Sequence, residues 1–256
     1  MRSELAALRV VRRDRRGSSS PVVVETADGL YFVKLRGAAQ ATASLVAEVI
    51  VGALADRLGL PVPSRRMVML ASDTPSLDRN DELADLLRAS VGENLGFLYL
   101  ENARAILPSD VERMSPDFAS QVRWLDWLVL NPDRGPKNPN ILTAGGSYWL
   151  IDHGAALPFQ HDWSRVTEAS PRKPARQVTH VLEAIATRMT EWDASLTEVV
   201  TRSLLADIVS EIPMSFLAPL VPPGARAEQI ERRRAAYAAF LWKRLQGPRD
   251  FSTQSA

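Results

Sequence analysis

Three oxygen-bearing side chains, Asp133, Asn138 and Asp152, have the types and spacing that phosphoryl transfer uses. Asp133 follows an apolar helical pattern directly, and Asn138 lies further along the same polar loop, Asn131 to Asn140. Asp152 closes a short apolar run and precedes His153 and Gly154. Moving a phosphoryl group asks little covalent chemistry of a protein. It asks for a carboxylate to orient the nucleophile's proton, which Asp133 supplies. It also asks for hard oxygen ligands to magnesium, which favours carboxylates and amide carbonyls. Asn138 and Asp152 have that chemistry. Asp, Asn and Pro are also ordinary turn residues. The position of the loop, between a long apolar helix and a two-strand ribbon, narrows the reading.

A second pair of charges stands where charge is costly. Lys34 interrupts Tyr31, Phe32, Val33 and Leu35, and Glu48 interrupts Leu45, Val46, Ala47, Val49 and Ile50. A charged side chain in an apolar stretch needs a partner or a route to water. Snorkelling at the edge of the fold would satisfy either one. Together they also match a strand lysine that holds the α- and β-phosphates of ATP, steadied by a helix glutamate. The loop with Gly17, Ser18, Ser19 and Ser20 precedes that strand. Its backbone N–H groups and hydroxyls suit a phosphate cradle, though serine-rich turns also serve as plain linkers. The three serines are also candidates for autophosphorylation, because added charge there would repel ATP.

The elements that position these residues follow from the hydrophobic pattern. Leu8–Val11, Val22–Glu25 and Tyr31–Leu35 read as strands, the last two joined at Ala27, Asp28 and Gly29 as a hairpin. A long helix is expected over Ala38–Leu58, closed by Gly59 and stopped by Pro61 and Pro63. Ser64–Leu70 and Leu95–Leu100 read as strands, with a short helix over Asp81–Ala89 between them. Ser115 and Pro116 open a helix as N-cap and first helical residue, with Phe118, Val122, Leu125 and Val129 on one face. Ile141–Leu142 and Tyr148–Ile151 form the ribbon around Gly145 and Gly146, and helices follow at Leu196–Ile212 and Ala227–Leu245. The fold class is therefore α+β: a β-rich N-lobe with one long helix, residues 1–101, then a helical C-lobe, residues 102–256.

Bulk properties exclude several alternatives. There is no cysteine, so neither disulfides nor thiolate metal sites enter. His153, His161 and His180 lack zinc-ligand spacing; structural or surface roles are expected for them. The net charge of +1 gives no strong nucleic-acid signal. Arg9, Arg12, Arg13, Arg15 and Arg16 cluster near the candidate phosphate loop and read by default as a solvated face, with an acidic protein or RNA as the functional alternative. No apolar run is long enough to cross a membrane and the start has no secretory pattern, so a cytoplasmic protein is expected.

The chain resembles the HipA-like kinases, relatives of bacterial toxin-type serine/threonine kinases, and most of all their short stand-alone members. The resemblance covers about residues 8–245. It rests on Phe32-Val33-Lys34, on Leu58 to Pro63, on Asn131, Asp133 and Arg134 through Asn138-Pro139-Asn140, and on Leu150 to Ala155. It implies a two-lobed protein-kinase-like fold and an ATP- and Mg2+-dependent phosphotransferase acting on a hydroxyl-bearing substrate, expected to be a protein. Asp133 then matches the catalytic aspartate, Asn138 and Asp152 the metal ligands, Lys34 the ATP lysine and Glu48 its partner. Tyr99 and Leu100 fall where a hinge would meet the adenine.

Departures from the wider kinase pattern leave two other readings open. Asn131 stands where many eukaryotic kinases have His, His153 replaces the usual Phe after the metal aspartate, and no Ala-Pro-Glu segment follows. The short activation region allows a small-molecule or lipid kinase of the same fold. His153 and the single-glycine loop allow a nucleotide-binding pseudokinase that serves as an interaction module. Toxin activity and operator binding are not expected to carry over.

Overall fold

The computed structural model describes residues 4–13, 21–38, 41–174, 179–249 and 251. The amino-terminal part is a six-stranded sheet of β1 (Leu5–Ala6), β2 (Arg9–Arg13), β3 (Val22–Thr26), β4 (Gly29–Lys34), β5 (Arg65–Leu70) and β6 (Gly92–Leu98). The spatial order is β1-β5-β6-β4-β3-β2. The β3–β4 hairpin turns at Gly29, whose φ of +111° few other residues adopt without strain. The Thr26 hydroxyl donates to the Gly29 carbonyl at 2.9 Å and accepts the Asp28 amide at 3.2 Å, closing the turn.

Alternation along β4 sorts its side chains onto two covered faces. Tyr31 and Val33 join Val22, Val24, Val68 and Leu70 in a core capped by Leu83, Leu86 and Leu87 of α2 (Asp81–Ala89). Phe32 and Lys34 point the other way. Lys34 pairs with Leu95, and Leu95 with Met67. Leu95 and Met67 belong to the larger core, the one that contains α1 (Ala41–Arg57).

The α1 helix is apolar on every side from Leu45 to Ala55, and this whole stretch is buried. A helix apolar all round belongs in a core rather than on a surface. Carboxy-terminal helices provide the outer cover: α6 (Arg202–Ser210) and α7 (Met214–Leu217) pack on α1. The Ser215 hydroxyl on α7 also hydrogen bonds to Glu93 of β6. The end of α1 is sharp. Gly59, at φ +75°, lets the Leu60 amide reach the Ala55 carbonyl at 2.9 Å and its own amide reach that of Asp56 at 3.2 Å.

The remainder carries a three-stranded sheet, β7 (Arg104–Ala105), β8 (Ile141–Ala144) and β9 (Ser147–Leu150), in that order. Its helices include α3 (Pro108–Val111), α4 (Pro116–Leu128), α5 (Met189–Val199) and α8 (Ala227–Leu245). Ser115 caps α4 as its sequence suggests, accepting the Phe118 amide at 3.1 Å. Trp124 and Trp127 are core residues and Phe118 packs against that core.

Three expectations need correction. The helix expected over 196–212 is two helices. Val200 leaves helical geometry at ψ 84°, and Thr201 starts α6 by accepting the Leu204 amide at 3.1 Å. The strand expected over 95–100 starts earlier and stops at Leu98. Beyond it the Tyr99 amide turns to the Leu30 carbonyl at 3.0 Å. The long helix begins at Ala41, and residues 39–40 lie outside the described set. Among the described residues, no single helix is long and apolar enough to cross a membrane.

The all-round burial of α1 has a measurable consequence. Leu54 is fully buried, so Leu54→Ala should cost about 2–5 kcal/mol of unfolding free energy. Urea unfolding followed by tryptophan fluorescence measures it; a loss below about 1 kcal/mol would mean that the helix is not packed as described.

Candidate active site

Lys34 and Glu48 meet. The Lys34 ammonium forms a buried ion pair with Glu48 Oε1 and a second with Asp152 Oδ1 at 2.6 Å. Strand β4, helix α1 and the segment after β9 thus converge on one nitrogen. Burial opposes the charge on Lys34, but the attraction of Glu48 and then Asp152 outweighs it and holds the group above the ordinary lysine range. For Asp152 burial acts upward and Lys34 downward, and Lys34 wins. Glu48 is pushed above the ordinary carboxylate range by burial, with Lys34 pulling back. One ammonium between two carboxylates leaves the cluster short of positive charge, and the Asp152 side chain is 47% exposed towards solvent.

Asp133 and Asn138 meet as well. Asn138 Nδ2 donates to both carboxylate oxygens of Asp133, at 3.1 and 3.0 Å. With its nitrogen so engaged, the Asn138 carbonyl oxygen is turned away from Asp133, the orientation a cation ligand needs. Asn140 braces the same residue, donating to the Asp133 backbone carbonyl at 2.6 Å and to Oδ2 at 3.2 Å. Asn131 accepts the Asp133 amide at 3.0 Å.

The residue that fixes this loop is one that sequence reasoning passed over. Asp126, on α4, is 4% exposed. Its carboxylate accepts Asn131 Nδ2 at 2.8 Å, Arg134 Nε at 2.6 Å and His180 Nε2 at 2.9 Å. Its backbone carbonyl accepts the Asn131 amide at 2.9 Å, closing α4 with Leu130 in the left-handed position at φ +55°. Arg134, 1% exposed, passes the connection on. It donates to the Asn140 carbonyl at 2.6 Å and to His153 Nδ1 at 3.3 Å. Burial would lift Asp126, yet Arg134 and then His180 hold it well below the usual carboxylate range.

Both histidines in this network are neutral by geometry. Arg134 can only donate, so His153 Nδ1 carries no proton. The Leu182 amide donates to His180 Nδ1 at 3.0 Å, so the His180 proton sits on Nε2 and points at Asp126. Burial, then Arg134, brings His153 down to about 3. Burial also lowers His180, against Asp126. His153 is therefore turned inward, and His161 is exposed on the surface. Asn140 and Asp152, either side of β8 and β9, hold left-handed backbone at φ +47° and +53°, conformations that cost non-glycine residues energy and cluster at working sites. Gly154 lies close against α1: a Cβ there would stand 2.0 Å from Ser44 Oγ, so any other residue would displace that hydroxyl.

A cleft of about 410 Å³ opens between the two sheets. Lys34, Asn138 and Asp152 occupy its polar end; Phe32, Phe97, Ala105, Ile141, Leu142 and Ile151 supply much of its apolar lining. Asp133 stands one hydrogen bond off that wall, behind Asn138. Tyr99 and Leu100 line the cleft. The Tyr99 amide is already committed to Leu30, whereas the Leu100 amide has no partner among the described residues. Gly17, Ser18, Ser19 and Ser20 lie outside the described residues, as do Arg15 and Arg16.

The sequence model of the family described as HipA-like kinase matches residues 7–220. The chain belongs to the HipA-like kinases. A search of curated proteins found no match. Among solved structures, the chain is similar to that of a Helicobacter pylori proinflammatory kinase, CtkA. The two share 13% identity and a TM-score of 0.55, over 88% of this chain and 90% of that one. At that identity the likeness speaks for the fold, and the fold is the two-lobed kinase-like one.

The neutral histidines give this HipA-like kinase a pH signature. Both have folded-state values below the ordinary 6.5. As pH falls through about 6.5, the unfolded chain takes up protons that the folded one refuses, so stability drops; Asp126 adds to the loss once ordinary carboxylates titrate. The melting temperature should therefore fall steadily from neutral pH to about 4.5, and His180→Gln, which keeps a donor for Asp126, should show a shallower slope above pH 5. Equal slopes in a melting series for the two proteins would contradict the assignment.

Proposed function

We propose that this HipA-like kinase transfers the γ-phosphoryl group of ATP, with Mg2+, to a serine or threonine hydroxyl of a protein. The observation that supports the reading most is that Lys34, Asp152 and Asn138 line one cleft whose other walls are largely apolar. That is the shape needed for a nucleotide, with a flat base at one end and charged phosphates at the other. Residues 1–101 then form the ATP-binding lobe, with the base beside Tyr99 and Leu100, and residues 102–256 form the catalytic lobe.

The donor set fits a hard divalent cation, since it offers the Asp152 carboxylate and the Asn138 carbonyl oxygen. Bound magnesium supplies charge neutralisation at the phosphate oxygens. Lys34 holds the α- and β-phosphates, steadied by Glu48. Asp133 orients the acceptor hydroxyl and takes its proton as the oxygen attacks the γ-phosphorus and the bond to the β-phosphate oxygen breaks. The loop carrying Gly17, Ser18, Ser19 and Ser20 would cover the phosphates. His153, the departure that favours a non-catalytic module, is buried on Arg134 and takes no ligand position from Asp152.

Asp133→Ala should lower phosphate transfer by roughly 10²–10⁴-fold and leave the far-ultraviolet spectrum unchanged. Labelled ATP with protein, lipid and small hydroxyl acceptors in parallel reads both activity and acceptor class. Transfer by the variant at the wild-type rate would falsify the role of Asp133. Label appearing only in lipid or small acceptors would move the substrate assignment. Intact-mass analysis after incubation with Mg-ATP reports any autophosphorylation, Ser18 to Ser20 included.

A further inference from the structure

Of the arginines on β2, Arg12 alone has no carboxylate partner among the described residues. Arg9 is paired with Glu25, and Arg13 with Glu82 at 3.3 Å. The Arg12 side chain is exposed, and its partner is the neutral hydroxyl of Tyr99, which it reaches at 3.1 Å. Its guanidinium carbon also stands 5.9 Å from the centre of the Tyr99 ring. Register places this contact. Arg12 lies opposite Val23, Val23 opposite Phe32, and Phe32 opposite Phe97. Directly opposed residues share a sheet face, and Phe32 and Phe97 line the cleft. Arg12 therefore stands on the cleft face, and its side chain meets that of Tyr99 across β3 and β4. The row through Arg12 and Phe32 lies nearer the hinge than the row through Lys34, so the bond closes the base end of the cleft and not the phosphate end.

We propose that Arg12 is a nucleotide-contacting residue, which on binding exchanges the Tyr99 hydroxyl for the face of the nucleobase. A guanidinium with no carboxylate partner among the described residues, at the edge of an aromatic-lined cleft, has a neutral phenol to give up and a π-face to gain. The Arg12–Tyr99 bond is then a latch that competes with the nucleotide. This inference rests on the cleft being the ATP site.

The two side chains should respond in opposite directions. Binding of a fluorescent, non-hydrolysable ATP analogue to the full chain gives Kd, and steady-state transfer gives KM and kcat. Arg12→Ala should raise Kd and KM roughly tenfold with a much smaller change in kcat, and Arg12→Lys should recover part of the loss. Tyr99→Phe removes the latch but keeps the ring beside the base, and should lower Kd. Arg12→Ala with Kd and KM within twofold of wild type would overturn the proposal, as would Tyr99→Phe weakened as much as Arg12→Ala, because the pair would then be a structural unit. Lys34→Met is the control: if it too binds the analogue like wild type, the cleft is not the nucleotide site, and the failure belongs to the functional reading and not to Arg12.

Discussion

A single buried ammonium organises this molecule. Lys34 lies between two carboxylates from separate elements, and the buried one, Glu48, could not be left alone there. Taking a charge out of water costs several kcal/mol unless partners and geometry are good. Glu48 is fully buried and has no other cation bonded to it among the described residues. The strand, the helix and the segment after β9 must therefore arrive together, and the cleft between the two sheets is the space their meeting defines.

The second buried charge centre works on the other side of that cleft. Asp126 and Arg134 form an ion pair beneath the catalytic loop, and every remaining polar group in it reaches a backbone atom or side chain that shapes the site. Arg134 bonds both the residue that ends the loop and the residue after Asp152. The proposed proton acceptor and the proposed metal ligand are thus set by one rigid fork. This placement does for the site what close packing does for a core: it fixes positions through contacts too numerous to change singly.

Much of this was legible because charge in an apolar context is conspicuous. Lys34 and Glu48 stand out in strand and helix patterns, and Asp133 and Asp152 follow apolar elements directly, with Asn138 in the same loop as Asp133. Asp126 was not legible. Between Leu125 and Trp127 it reads as the polar stripe of an amphipathic helix, and nothing local says that His180, far along the chain, will close over it. Val200 was hidden for the opposite reason. The apolar period of Leu196 carries on through Leu204 and Leu205 into α6, so only the capping hydroxyl of Thr201 marks the break. The burial of α1 had a signal, since Glu48 is its one charge before Asp56. That signal says the helix is covered without saying by what.

The cover on α1 comes from helices near the other end of the chain, and this bears on how the protein folds during synthesis. The first two hundred residues can form their hairpin and sheet locally. They cannot finish their larger core until α6 and α7 have been made, so α1 spends that interval with an apolar flank uncovered. Long-range closure of this kind slows folding and prolongs exposure of sticky surface. A ribosome-bound nascent chain ending before α6 leaves that flank exposed and is in consequence a natural client for holding chaperones.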